Sequence, residues 1–283
     1  MPTSMHITES SYGKTGVRLV KVERNKTRHE MKDMTVAIQL SGDFEQAYSD
    51  GDNRQVLPTD TMKNTVYVLA RKSPIGEIEG FATLLASHFL ERHPQVARAR
   101  VNISEKIWLG IGSNGSPKDS FQMVGPESRT VSVDSTRSAT SVEAGIANLV
   151  VLKTGRSAFA DFLKDEYTTL KETHDRLLSS SVNAQWVYGS LAHDAKTPWR
   201  AVRQTLLDIF AQHNSLSVQH TLYAMGQGVL DRFSCIDEIS LSMSNRHCIP
   251  IDLTPFKMDN PNEVFVPVDE PSGLIEAVLK RAA

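Results

Sequence analysis

Cysteine is scarce: the 283 residues hold two, Cys235 and Cys248, 13 positions apart. Two thiols cannot build the disulfide framework of a small secreted fold, so a reducing cytoplasm is the expected setting. Long apolar runs are missing as well. None approaches the ~18 residues of a membrane-crossing helix, and the opening MPTSMHITES has neither the basic nor the apolar region of a secretory leader. Neither sign of charge dominates. The 31 Lys and Arg against 33 Asp and Glu leave a net charge of −2, without the basic footprint of a nucleic-acid binder. A hydrophobic fraction of 40% excludes a disordered tail or a collagen. Among nine histidines there is no HxH or HExxH, and the cysteines make no CxxC, so only ligands gathered from distant strands could hold a metal.

What remains is an ordinary globular chain long enough for one large domain or two of roughly 140 residues, and two are expected. VRLVKVER reads as a strand, and MTVAIQLS places Met34, Val36, Ile38 and Leu40 on one face. Behind Thr59 and Asp60, Met62, Val66, Leu69 and Ala70 recur at helical spacing. Ile78, Phe81, Leu84, Leu85 and Phe89 stripe a second helix that stops before Pro94. Strand period returns in Ala97, Ala99, Val101 and Ile103. The second half repeats the order. SVEAGIANLVVLK and VNAQWVYGS read as strands, WRAVRQTLLDIFAQH and SVQHTLYAMGQGVLDRF as helices, IDEISLSMSNRH and NEVFVPV as strands. Strands grouped apart from helices predict an α+β fold, helices on one face of largely antiparallel sheets, with a duplication whose boundary falls near residue 135.

Two motifs are decoys. GIGSNG, residues 110 to 115, matches the dinucleotide fingerprint, but Ser116, Pro117 and Lys118 follow where a helix must start, so a hairpin turn is expected. Gly13-Lys14-Thr15 resembles the end of a phosphate loop, yet the glycine required five positions earlier is Thr8.

The informative residues are these. Asn245 and His247 continue the strand face of Ile239, Leu241 and Met243; either the strand leaves the core there, or the two polar groups rim a cavity. Thr59-Asp60 and Ser217-Val218-Gln219 begin helices, whose free N–H groups suit an anion but whose residue types are also those of simple caps. FADFLKDEYTTLKETHDRLL, residues 159 to 178, sets Phe159 and Phe162 ahead of a charged stretch ending near Arg176. Lys14 and Arg176 by themselves read as surface charges.

Taken together, YGKTGVRLVKV, TDTMKNTVYVLA, DEYTTLKETHDRLL, SVQHTLY, SNRH and NEVFVPVDEPSGLIEA resemble urate oxidase, the cofactor-independent uricase family, from about Ser11 to Ala277. The resemblance implies tandem tunnelling-fold domains, 11–135 and 136–283, each an antiparallel sheet backed by two helices. It implies a homotetramer with active sites between subunits, and oxidation of urate by dioxygen and water without metal or flavin. By matching positions, Phe159 would stack on the purine, Arg176 and Gln219 would grip opposite edges, and the Val218 N–H would assist. Thr59, with the Asp60 amide, would reach the ligand from a neighbouring subunit. Lys14, Thr59 and His247 would relay protons, and Asn245 would hold dioxygen and then water. The chain departs from the family pattern at Asp161, usually glycine, at Met243-Ser244, usually leucine-proline, and at Cys248, usually aromatic. It ends KRAA rather than with the peroxisomal Ser-Lys-Leu. A pterin-handling enzyme of the same fold, or a purine binder without catalysis, are the alternative expectations.

Overall fold

The computed structural model describes residues 5–24, 29–112, 119–189 and 199–281. GIGSNG falls mostly outside the described residues, although Gly110 and Phe121 pair across the strands that flank it. The chain divides into two compact units, Met1–Ala144 and Gly145–Ala283.

The first unit contains β1 (Tyr12–Arg24), β2 (His29–Gly42), a short α1 (Glu45–Ser49), α2 (Thr59–Lys72), α3 (Ile78–Arg92), β3 (Val96–Gly110) and β4 (Phe121–Thr136). Its strands pair in the order β1-β2-β3-β4, all antiparallel. Strand alternation drives Met34, Val36, Ile38 and Leu40 into the core, where they meet Met62, Val66 and Ala70 of α2. Complete burial of side chains such as Leu85 and Phe89 contributes about 1.5–3 kcal/mol each. The expected α3 stripe needs one correction. Leu84 is exposed, and Ala82 and Ala86 are buried in its place, because small side chains let the helix approach the sheet. Ala97 is also exposed, since a register irregularity at Ser41/Gly42 interrupts the alternation of β3 there. Period does not mark strand β4 in the sequence, because Gly125-Pro126 interrupts its pattern.

β5 (Thr140–Lys153) starts at the end of the first unit and lies mostly in the second, which also contains β6 (Leu178–Tyr188), α4 (Trp199–Gln212), α5 (Val218–Arg232), β7 (Ile236–Pro250) and β8 (Phe265–Lys280). Its strand order is β5-β6-β7-β8. β8 runs well past NEVFVPV, to Lys280.

The units repeat each other closely. α2 and α4 begin at Thr59 and Trp199, α3 and α5 at Ile78 and Val218, β3 and β7 at Val96 and Ile236, a constant offset of 140 residues. Every buried position of α3, from Ile78 to Leu90, has a buried counterpart in α5 at that offset, from Val218 to Leu230. Helix ends are treated alike too. The Lys21 ammonium donates to the Ser73 carbonyl after α2, and the Lys153 ammonium to the His213 carbonyl after α4. The residue following β4, Arg137, donates to the carbonyls of Leu90, His93 and Pro94, while the residue following β8, Arg281, donates to those of Leu230, Phe233 and Ile236. Cations placed on the negative end of each helix satisfy carbonyls that have no partner within the helix.

Candidate active site

The stretch from Ser157 to Arg176 forms no helix and no long strand; two isolated bridges, at Ser157 and Phe159, hold it. Phe159 N–H donates to the Thr173 carbonyl (2.7 Å) and Thr173 N–H returns to Phe159 (3.0 Å), closing the segment into a loop. Arg176 N–H donates to the Ser157 carbonyl at 2.9 Å, which brings its guanidinium 5.3 Å from the centre of the Phe159 ring. Phe162 stacks on the same ring at 4.9 Å and 14°. Asp161, which precedes Phe162 in the chain, sits at φ 56°, in the left-handed region that explains why glycine is usual there.

Arg176 is half-buried, and its Nε is buried without a hydrogen-bond partner among the described residues. Burial pushes the pKa of this guanidinium below its ordinary value. It stays charged nonetheless, because arginine does not deprotonate in proteins. A buried donor without an acceptor costs free energy until a ligand provides one.

The same loop is fastened to the start of α5. Ser157 and Ser215 bridge in parallel, with Ala158 N–H donating to Ser215 (2.7 Å) and Ser215 N–H donating to Arg156 (2.9 Å). Two residues on, Ser217 caps α5, its side chain accepting from His220 N–H. The helix then opens with buried Val218 and exposed Gln219. α5 packs on β7. There Asn245 is 9% exposed, in line with the buried Ile239, Leu241 and Met243. His247 is exposed. Around Asn245 β7 stays regular against β6, pairing Asn245 with Ser180, whereas β8 is irregular there, pairing Gly273 with Asn245 and Val268 with His247.

Phe159, Arg176, Val218, Gln219, Asn245 and His247 thus all belong to the second unit, and Lys14, Thr59 and Asp60 to the first. Lys14 lies on β1, paired with Ile38. Thr59 opens α2, whose N-cap is Pro58 and makes no side-chain cap bond. Capping therefore does not account for Thr59. The Asp60 carboxyl is held below its ordinary pKa chiefly by the hydrogen bond and charge of Lys63, with Asn64 and the charge of Lys14 adding to it.

Residue types alone missed Ser157, Ser215 and Thr221, which are 1%, 0% and 0% exposed, and Gly273 opposite Asn245. The doubled serine of NSLSV ahead of an apolar helix is the one sequence signal that could have marked this cluster. Neither Cys235 nor Cys248 is joined in a disulfide. Among the described residues no group of three or more His, Cys, Asp or Glu side chains is placed to hold a metal ion, and no helix is long and apolar enough to cross a membrane.

The family model described as Uricase matches residues 10–134 and 142–276. The chain belongs to the uricase family. It is 42% identical over 279 residues to the uricase of Arthrobacter globiformis, covering 99% of this chain and 91% of that one, and 37% identical to the uricase of Dictyostelium discoideum, covering 98% of each. The crystal structure of the Arthrobacter uricase superposes with a TM-score of 0.92, covering 99% of this chain and 96% of that one. A uricase structure from Bacillus fastidious, at 23% identity and a TM-score of 0.83, shares the fold. The fold is therefore the tunnelling fold of the uricases, and the family match spans both units, as the internal repeat requires.

Proposed function

We infer that this chain oxidises urate: urate, dioxygen and water yield 5-hydroxyisourate and hydrogen peroxide, without metal or flavin. The single observation that carries the reading is the half-buried Arg176, set 5.3 Å from the Phe159 ring centre with a buried Nε that has no acceptor among the described residues. A flat anion laid on Phe159 would supply that acceptor through its carbonyl and ring nitrogen. Gln219 would read the opposite edge with its amide, assisted by the Val218 N–H at the positive end of α5.

The chemistry asks little else of the protein. Triplet dioxygen reacts slowly with closed-shell molecules, but a further deprotonated urate is rich enough in electrons to give them up one at a time. Two electrons and two protons pass to dioxygen, giving peroxide, and water adds to the oxidised ring. The protein stabilises the developing charge, holds oxygen over the ring at Asn245, and moves protons. Thr59 and Lys14, with the Asp60 amide, would come from a neighbouring copy of the chain and complete the relay with His247, which makes the homotetramer the working unit. The uncommitted start of α2 is consistent with that role for Thr59. Two cysteines outside any disulfide suit a cytoplasmic setting.

Purified protein should deplete urate absorbance and produce peroxide after exhaustive chelation. Activity that requires added metal would defeat the mechanism, and binding without turnover would make the chain a purine sensor. Arg176→Ala should raise KM and lower kcat together, whereas Lys14→Ala should chiefly lower kcat. Mixed oligomers of these two inactive variants should regain part of the activity.

A further inference from the structure

The position of Ser215 has no obvious demand on it from the fold. Its counterpart 140 residues earlier is Ile75, and that of Thr221 is Phe81, both buried apolar residues at 4% and 3% exposure. The first unit therefore builds the same corner with hydrocarbon. In the second unit a hydroxyl pair has replaced it, although burying hydroxyls carries a desolvation cost that hydrogen bonds only offset.

What the pair does is visible in its bonds. The Thr221 hydroxyl donates to Ser215 Oγ at 2.7 Å, and Ser215 Oγ donates to the Ser217 carbonyl at 3.1 Å. The hydroxyl of Ser215 thus fixes the turn that launches Val218 and Gln219. Its backbone meanwhile holds Arg156 and Ala158 on the other side, next to Ser157, whose carbonyl accepts from Arg176 N–H. One residue is bonded to both arms of the site: the ring-and-guanidinium arm through its main chain, and the amide arm through its side chain.

We propose that Ser215, working through Thr221, is a positioning residue that sets the separation between Phe159 with Arg176 and Val218 with Gln219, and so tunes affinity for urate. The proposal rests on the urate reading above. Ser215 touches no substrate; it holds the backbone from which two binding groups project. A buried, fully bonded hydroxyl pair restrains orientation as well as distance, which an isoleucine against a phenylalanine cannot do.

The test is equilibrium dialysis of urate against anaerobic protein, beside steady-state kinetics in air. Ser215→Ala and Thr221→Val should each raise the anaerobic Kd and the KM by about five- to tenfold, the scale expected when a buried hydroxyl and its hydrogen bonds are lost, while kcat stays within about threefold. Thr221→Ser, which keeps the hydroxyl, should bind as the parent does. The double variant should fall short of the product of the two single effects, because both remove the bond between Thr221 and Ser215, although each also removes its own bond to the Ser217 carbonyl. Folded Thr221→Val with unchanged Kd overturns the proposal, as does a lower melting temperature with Kd intact, or a fall in kcat alone. Should Ser215→Ala not fold, Thr221→Val against Thr221→Ser decides the matter. If the parent protein neither binds urate anaerobically nor oxidises it, the urate reading itself fails and this inference falls with it; parent activity with indifferent variants sinks this inference alone.

Discussion

Opposite Glu105 on the sheet of the first unit stands Arg129; at the matching place in the second unit, opposite Asn245, stands Gly273. The surroundings differ just as sharply. The Arg129 side chain is 2% exposed and pairs with Glu79 at 2.5 Å, Glu77 at 2.5 Å and Glu105 at 3.8 Å, with Lys32 also 3.0 Å from Glu105. Burial works against that guanidinium, yet Glu79 and Glu77 together hold its pKa above the ordinary value. In the second unit the counterparts of Glu79 and Glu105 are Gln219 and Asn245, neutral amides, and the arginine is a glycine. One copy of the corner is filled by a side chain and its counter-ions, and the other retains the groups proposed to meet a ligand. A duplicated fold can thus close one copy of a corner without altering the helices or strands that frame it.

Removing the charge that fills the first corner should have the largest effect. Arg129→Met leaves Glu79 and Glu105 without their buried cation, and a loss of about 3–5 kcal/mol is expected in denaturant unfolding. Adding Glu79→Gln and Glu105→Asn, the residue types of the second unit, should recover most of it. A loss under about 1 kcal/mol would mean the cluster is not needed to hold that corner together.

Importing the first unit's arginine into the second comes next. A Cβ at Gly273 would meet Ile275 Cδ1 at 3.9 Å and Asn245 Cβ at 4.0 Å, ordinary contacts, so Gly273→Arg should fold. Its guanidinium would compete for the space beside Asn245, and kcat/KM for urate should drop by about 100-fold or more, the equivalent of some 3 kcal/mol of transition-state binding. Turnover within a few-fold of the parent would show that this corner is not where the ligand sits.

Smaller and symmetrical effects should follow from the helix caps. Arg137→Ala and Arg281→Ala each release carbonyls at the end of one helix, α3 or α5, and each should cost about 1 kcal/mol by thermal or denaturant melts. Clearly unequal losses would show that the repeated cap no longer carries the same load in the two units.

The smallest expected effect is on acid stability. Burial pushes the imidazoles of His88 and His93 in the first unit down, and that of His213 in the second, with nearby cationic groups helping in each case. The folded protein therefore binds fewer protons at these sites than the unfolded chain. The stability they contribute is complete above the unfolded value of about 6.5 and is lost as pH falls towards the depressed folded values. Melting temperature should accordingly decline on acidification through that window, and His88→Gln with His93→Gln should blunt the decline more than His213→Gln.

Much of this architecture can be read along the chain. The spacing of Met62, Val66 and Ala70, and of Leu85 and Phe89, leads to two helices, and alternation in β2 and β7 leads to two half-buried strands, because burial of an apolar stripe dominates local structure. β4 escaped because a Gly-Pro pair sits inside its pattern, and Leu84 was misplaced because helix packing selects small side chains over large ones where the backbone comes close. The residues proposed for the site were legible through resemblance; their bond partners were not. No local pattern shows that Thr59 leaves its helix uncapped, or that Ser215 meets Thr221.

Apart from β4 and the positions of Leu84 and Ala97, the order of elements and their buried faces were determined by the sequence alone, since period and side-chain type act within a few residues. Tertiary structure decided which residues face one another: Arg129 against Glu105, Gly273 against Asn245, Arg176 over Phe159. Those partners are brought together by strand register, an irregular β8 and a loop closed by two bridges. Each of these depends on turns and hydrogen bonds many residues from the side chains they align.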